Sequence, residues 1–316
     1  MKFTYLLIVT ISLTKVLPAQ VIYPYPLLEF HLHIENQKVT MRYMDVAADK
    51  PNGKSIVLLH GKNFSGYYWK DIIPALSSAG YRVIIPDQPG WGRSDNPNIH
   101  YSFHQLASNT KLLLDSLRIQ QVYVAGHSMG GMLATRFALM FPVMTEKLIL
   151  ENPIGLEDYK TFVPYQTIDK LFAKERLATY ESYKKYQQSY FPEWKEEYAQ
   201  YVVAQAEQLK DPEFEKIAFI NAITYQMIYE QPVIYEVALL KMPVMIIIGQ
   251  EDRTVVGKDQ LSKEQASNYG QYPLLGKNLN NLISNSTLVE MKGVGHIPHI
   301  QEPLEFKKHL LKFIDK

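Results

Sequence analysis

From Leu27 to Val46, in LLEFHLHIENQKVTMRYMDV, apolar and polar residues alternate on either side of Glu35-Asn36. A period of two broken at an Asn-containing turn predicts an antiparallel hairpin. The pattern then changes to short runs that are apolar almost throughout: SIVLLH (55–60), YRVIIPD (81–87), QVYVAGH (121–127), KLILENP (147–153), PVMIIIGQ (243–250) and STLVEMKG (286–293). Runs without a polar face suit strands covered on both sides of a parallel sheet. Helical stretches fall between most of them, at about 67–79, 102–118, 129–141, 257–268 and 302–315. Strand and helix in alternation predict right-handed crossovers and a doubly wound α/β sheet, mostly parallel, with the N-terminal hairpin antiparallel.

The interval 153–240 breaks this rhythm. It has no strong strand-like run, carries many aromatic and charged residues in helical periodicity, and is punctuated by Pro192 and Pro212. An ordinary crossover needs far fewer residues. The expected division is therefore a core of residues 20–152 and 241–316, with 153–240 as a helical cap insert. Ligands of open α/β sheets bind beyond the carboxyl ends of the strands, and the insert leaves the sixth strand at that end.

The first residues, MKFTYLLIVTISLTKVLPAQ, stand apart. Lys2, the apolar run Tyr5–Leu13 and the Leu17-Pro18-Ala19 site read as a secretory signal peptide over 1–19, cleaved after Ala19. The expectation is an exported protein, periplasmic or secreted, without stable membrane insertion after cleavage; retention as an anchor is the alternative. Composition adds exclusions. A net charge of +1 and no basic patch argue against nucleic acid and anionic membranes as partners. The absence of cysteine removes disulfides and any cysteine nucleophile.

Candidate chemistry starts at GHSMG (126–130), where a buried strand gives way to a helix. Glycines two residues to either side of Ser128 let a strained turn lift its hydroxyl off the sheet, with the helix N-terminus aimed at it. Serine alone is a weak nucleophile and needs a base and an orienting acid. Asp252 in GQEDRTV and His296 in GVGHIPHIQEP each lie just past a strand-like run. Serine, acid and histidine in that order, with these strand-end positions, form the expected triad.

With LLHGKNF (58–64), PDQPGWGRSDNP (86–97) and GHSMGG, the chain over about 28–315 resembles the serine α/β-hydrolases with a helical cap. The resemblance implies an oxyanion hole formed by the backbone N–H groups of Met129 and Lys62, with Asn63 the alternative to Lys62. It also implies a hydrolase free of metal and cofactor, acting on a small-molecule ester, lactone or related acyl compound through an acyl-enzyme at Ser128. Alternatives on the same triad are a carbon–carbon bond hydrolase and a proline iminopeptidase. Outside enzymes, the alternative is a catalytically silent binding protein of the same fold. Serine at the elbow argues against the aspartate-dependent dehalogenases and epoxide hydrolases, and a charged, Tyr-rich insert argues against a lipase.

Neighbouring residues receive plainer expectations. Glu251 reads as a solvated loop charge, His299 as a loop histidine packing on the surface, and His127 and His60 as structural. Asp87 and Arg93 are expected to tie their loop together. Two histidines without a carboxylate cluster make a poor metal site. Tyr180, Tyr183, Tyr186 and Tyr190 recur at helical spacing and predict one packed face, with a pocket lining as the sharper reading. Trp69, Trp91 and Tyr183 are the substrate-binding candidates.

Overall fold

The computed structural model describes residues 21–315; the expected signal segment 1–19 lies outside them. The hairpin forms as β1 (Leu28–Ile34) and β2 (Gln37–Val46), paired antiparallel from Leu28–Tyr43 to Ile34–Gln37. Glu35 and Asn36 both take positive φ, at 47° and 64°, the geometry that matches a two-residue turn to strand twist. The apolar runs form β3 (Ser55–Leu59), β4 (Arg82–Pro86), β5 (Val122–His127), β6 (Thr145–Glu151), β7 (Val244–Gly249) and β8 (Ser286–Met291). The eight strands order as β1-β2-β4-β3-β5-β6-β7-β8, parallel from β4 to β8. Strand order reverses about β3 and β5, and a crevice opens at such a reversal beyond the carboxyl ends.

The helices are α1 (Ile73–Ser78), α2 (Phe103–Ser116), α3 (Met129–Met140), α4 (Ile168–Glu175), α5 (Tyr180–Gln188), α6 (Ala199–Ala206), α7 (Phe214–Glu230), α8 (Lys263–Asn268), α9 (Tyr272–Leu282), α10 (Pro298–Gln301) and α11 (Pro303–Ile314). They explain why the central strands lack a polar face. Val122 and Val124 of β5 join a cluster with Leu106 of α2, Leu133 of α3 and Leu279 of α9. Tyr123 and Ala125 point the other way, into a cluster with Leu76 of α1 and Phe306 of α11. Ile246 of β7 is wholly buried, and truncating it to alanine would cost about 2–5 kcal/mol.

Two helical expectations change. The stretch 67–79 divides into a 3-10 turn at Gly66–Trp69 and α1, which carries Pro74 in its first turn, where the missing N–H costs nothing. In place of 257–268 only α8 is a full helix, capped reciprocally by Ser262 and Gln265, while α9 follows unannounced. Gly276 hides α9 in the pattern. A Cβ there would meet Ile248 at 2.6 Å, so the residue that weakens the helix is what lets it lie against β7.

Between β6 and β7 the chain runs through α4 to α7 and several 3-10 turns. Thr167 caps α4 and Thr179 forms a capping box with Ser182 on α5. This interval does not rest on the sheet as a separate layer alone. Tyr190, Phe191, Tyr198 and Tyr201 join the α1–α11 cluster, and Ile220, Met227 and Ile228 join the α2–α3 cluster.

Candidate active site

One residue separates β5 from α3. Ser128 makes that turn with φ 56° and ψ −121°, a conformation costing about 1–3 kcal/mol for a residue with a Cβ. Close packing keeps it there. A Cβ on Gly126 would lie 2.0 Å from the Gly130 carbonyl oxygen, and one on Gly130 would lie 2.2 Å from that of Leu59. The Ser128 N–H donates to the Glu151 carbonyl (3.1 Å), and the Ser128 carbonyl accepts from Gly131 (2.9 Å) and Ile154 (3.2 Å).

Ser128, His296 and Asp252 come together. Ser128 Oγ lies 2.9 Å from His296 Nε2, and His296 Nδ1 lies 2.7 Å from Asp252 Oδ2. Burial alone would raise the Asp252 carboxyl. His296 and hydrogen bonds from Thr254 and Asn152 outweigh it and hold the group below its ordinary value. An ionised Asp252 accepts only, so Nδ1 of His296 carries the proton and Nε2 faces the hydroxyl as acceptor. Glu251, by contrast, is exposed, and its backbone N–H donates to Val294.

Asn152 and Glu151, which the sequence did not single out, and Tyr190 hold this line in place. Asn152, with φ 36°, donates through Nδ2 to Asp252 Oδ2 (2.7 Å) and accepts through Oδ1 from the Gly249 N–H (2.9 Å). Glu151 reaches the histidine loop: its carboxylate accepts from the His299 N–H (2.8 Å) and lies 2.9 Å from His299 Nδ1. The one available signal was a polar pair, Glu-Asn, closing an otherwise apolar strand. Tyr190 stacks on His296 with centroids 4.8 Å apart, and its carbonyl accepts from the His296 N–H (2.7 Å).

His299 is therefore not a surface residue. It is buried at 1% exposure, because the loop after β8 turns inward onto Glu151, and Trp69 stacks on its ring at 4.2 Å. His127 points away from the hydroxyl. Its Nε2 donates to the His296 carbonyl (2.8 Å) and its Nδ1 accepts from Tyr68 Oη (3.2 Å), which itself accepts from the Gly61 N–H. His60 Nε2 accepts from the Gln88 N–H, and Asp87 accepts from Gly66, Arg93 and Tyr23, tying the 88–94 loop to its surroundings.

The binding candidates fare differently from the triad. Trp69 sits in the core against Tyr68 and His299, in the cluster that joins α1 and α11 to the sheet, because the turn carrying it packs on β3. Tyr183 is buried with Val202 and Ala206, its hydroxyl taken by Gln208. Trp91 lines a cavity with Lys62 and Asn221 and also donates through Nε1 to the Lys62 carbonyl (2.7 Å). The four tyrosines do not share one face, because α5 ends at Gln188 and Tyr190 turns down onto His296. Tyr186 is 48% exposed, with its ring edge-on to Tyr190 at 5.4 Å.

Met129 opens α3, and the first N–H groups of a helix lack acceptors within it. Among the described residues neither its N–H nor those of Lys62 and Asn63 has a backbone acceptor. Asn63 Nδ2 donates to Tyr190 Oη (2.9 Å), joining this loop to the residue stacked on His296. No group of three or more metal-ligating side chains occurs among the described residues, and none of their helices is long and apolar enough to cross a membrane.

A family model described as the alpha/beta hydrolase fold matches residues 54–303, and the chain belongs to that family. The chain is an enzyme of the hydrolase class. It is 42% identical to a probable hydrolytic enzyme of Pseudomonas aeruginosa of known structure, with a TM-score of 0.90 over 92% of this chain and 94% of that one. It is 29% identical to a 2-hydroxy-6-oxononadienedioate/2-hydroxy-6-oxononatrienedioate hydrolase of Burkholderia vietnamiensis, over 70% of this chain and 83% of that protein. A protein of the same description from Paraburkholderia phymatum is 36% identical over 47% of this chain, and there the match spans about half of the relative's length, 52%.

Proposed function

We propose that the protein is a serine hydrolase that cleaves a small ester or related acyl compound through an acyl-enzyme at Ser128. The observation that carries this reading is the unbroken line Ser128 Oγ–His296–Asp252, at 2.9 and 2.7 Å, with the proton on Nδ1. His296 Nε2 takes the hydroxyl proton as Oγ bonds to the carbonyl carbon. The carbonyl electron pair moves onto an oxygen held by the N–H of Met129 and that of Lys62 or Asn63. The returning pair expels the leaving group, which takes the proton from His296. Water, deprotonated by the same nitrogen, then releases the acid and restores Ser128. Asp252 fixes the tautomer and steadies the imidazolium.

A fluorophosphonate probe tests the reading: Ser128 should be the labelled residue by mass spectrometry, and Ser128→Ala should take no label. Lack of labelling in the wild-type protein would leave a silent binding protein of this fold. The relatives named as oxononadienedioate hydrolases favour a second reading, in which the same serine attacks a ketone and water is added across the adjacent carbon–carbon bond. Comparing p-nitrophenyl esters with a 2-hydroxy-6-oxo dienoate separates the two. We also infer export directed by residues 1–19, which fractionation and N-terminal sequencing would check.

A further inference from the structure

The candidate oxyanion loop is not fastened by the core alone. Residues 61–64 make a tight turn, closed by the Phe64 N–H donating to the Gly61 carbonyl (3.2 Å). The turn abuts the nucleophile, since a Cβ on Gly61 would lie 3.2 Å from that of Ser128. From the core side, Tyr68 Oη accepts from the Gly61 N–H (2.9 Å) and Trp91 Nε1 donates to the Lys62 carbonyl (2.7 Å). Asn63, the next residue, takes its partner from the interval 153–240, donating through Nδ2 to Tyr190 Oη (2.9 Å). Phe64 packs beside the same ring, with centroids 6.1 Å apart.

Tyr190 lies between α5 and α6, and it also meets the histidine loop. Its carbonyl accepts from the His296 N–H (2.7 Å), and its ring lies over the imidazole at 29°, with centroids 4.8 Å apart. The approach is close enough to require glycine. A Cβ on Gly295 would fall 2.2 Å from the Tyr190 carbonyl oxygen and 2.8 Å from Pro192 Cδ. Tyr190 is only 7% exposed. One buried residue therefore touches both the base and the loop beside the nucleophile, which the core carries on separate segments, after β8 and after β3.

We propose that Tyr190 is a positioning residue whose hydroxyl sets the oxyanion loop against His296, so that base and oxyanion donors come into register only while this part of the cap is seated. This rests on the serine-hydrolase reading. Oxyanion donors act only where the charge develops, and a misplacement of about 1 Å costs up to about 10²-fold in rate. The Asn63 side chain is a lever on a turn of four residues, so the bond to Tyr190 bears directly on where the N–H groups of Lys62 and Asn63 point. The competing role is packing, in which the ring and main chain of Tyr190 fill space between cap and core and its hydroxyl does nothing.

The test uses the whole enzyme and compares Y190F, N63A and the double variant. It measures kcat and KM for p-nitrophenyl acetate and Ki for a trifluoromethyl ketone, which forms a tetrahedral oxyanion on Ser128. Y190F keeps the ring and the main-chain bond and removes only the bridge. It should lower kcat by about tenfold and hold KM within about twofold. It should weaken the ketone by about the same factor as kcat/KM, because the loss falls on the oxyanion rather than on bound substrate. N63A should do the same, and the double variant should be no slower than either, since both changes break one bond. Wild-type kcat and inhibition in Y190F overturn the proposal, as do losses that multiply in the double variant or appear in KM alone. Should one single variant fail to fold, the other decides through kcat and the ketone together. Fluorophosphonate labelling of wild-type Ser128 with Y190F unimpaired refutes the positioning role alone, whereas absence of wild-type labelling refutes the hydrolase reading beneath it.

Discussion

The loops bearing Ser128, Asp252 and His296 and the helical interval 153–240 face the same space but are built differently. On the core side the attachments that fix the line are buried: Asn152 on Asp252, Glu151 on the His299 N–H, His127 on the His296 carbonyl. Across the interval, several attachments are exposed ion pairs, such as Lys174–Asp259, with side chains 65% and 60% accessible, Arg176–Glu215 and Lys184–Glu196. Exposed pairs contribute about 0–1 kcal/mol, whereas stranding a buried polar group costs about 1–3 kcal/mol. The difference separates a frame that cannot yield without loss from a roof whose surface can vary.

The sharpest probe of the frame is Ser128→Ala or His296→Ala. Each should lower p-nitrophenyl ester turnover by about 10⁴-fold or more; Ser128→Ala should leave the melting temperature nearly unchanged, whereas His296→Ala, which strands the buried Asp252 carboxylate, should lower it. Activity within about tenfold of wild type would remove the line from the chemistry. Next comes Asn152→Ala, which strips a donor from Asp252 and leaves the Gly249 N–H unpaired. It should cut kcat by about 10–100-fold and destabilise by about 1–3 kcal/mol in urea unfolding.

A smaller effect concerns acid. Burial pushes His127 and His299 down to about 3 from 6.5, so both take up a proton on unfolding below pH 6.5, and stability falls as pH drops through that window. Glu151, pushed up to about 7 by burial, is protonated in the fold and ionised in the unfolded chain between about 4.5 and 7, and opposes them. Two histidines against one carboxyl leave a melting temperature that falls from pH 6.5 to 4.5, and His127→Gln should flatten it. A wild-type melting temperature that rises on acidification would refute the assignment. Least of all should the roof respond: a double-mutant cycle of Lys174→Ala and Asp259→Ala should yield a coupling below about 1 kcal/mol. A larger value would erase the contrast.

Legibility in the sequence follows the same division. Periodicity predicts β1 and β2 by their alternation and β3 to β7 because burial on two faces leaves little room for polar residues, and Ser128, Asp252 and His296 read out because a G-x-S-x-G turn and two strand-end loops are local patterns. His299, Asn152 and Tyr190 were not readable, since their roles come from contacts between segments far apart in the chain. The inward turn that buries His299 depends on Glu151 at the end of another strand. The helical interval was recognisable as such, but nothing in its pattern revealed that Tyr190 and Phe191 dip into the core while Tyr186 stays exposed.

Glu151 grips two loops at once, the nucleophile turn through its main-chain oxygen and the histidine loop through its carboxylate. Thermal breathing of β6 therefore carries both reacting partners in the same direction. Their separation is insulated from much of the sheet's motion, as two instruments bolted to a single rail keep their alignment while the bench vibrates.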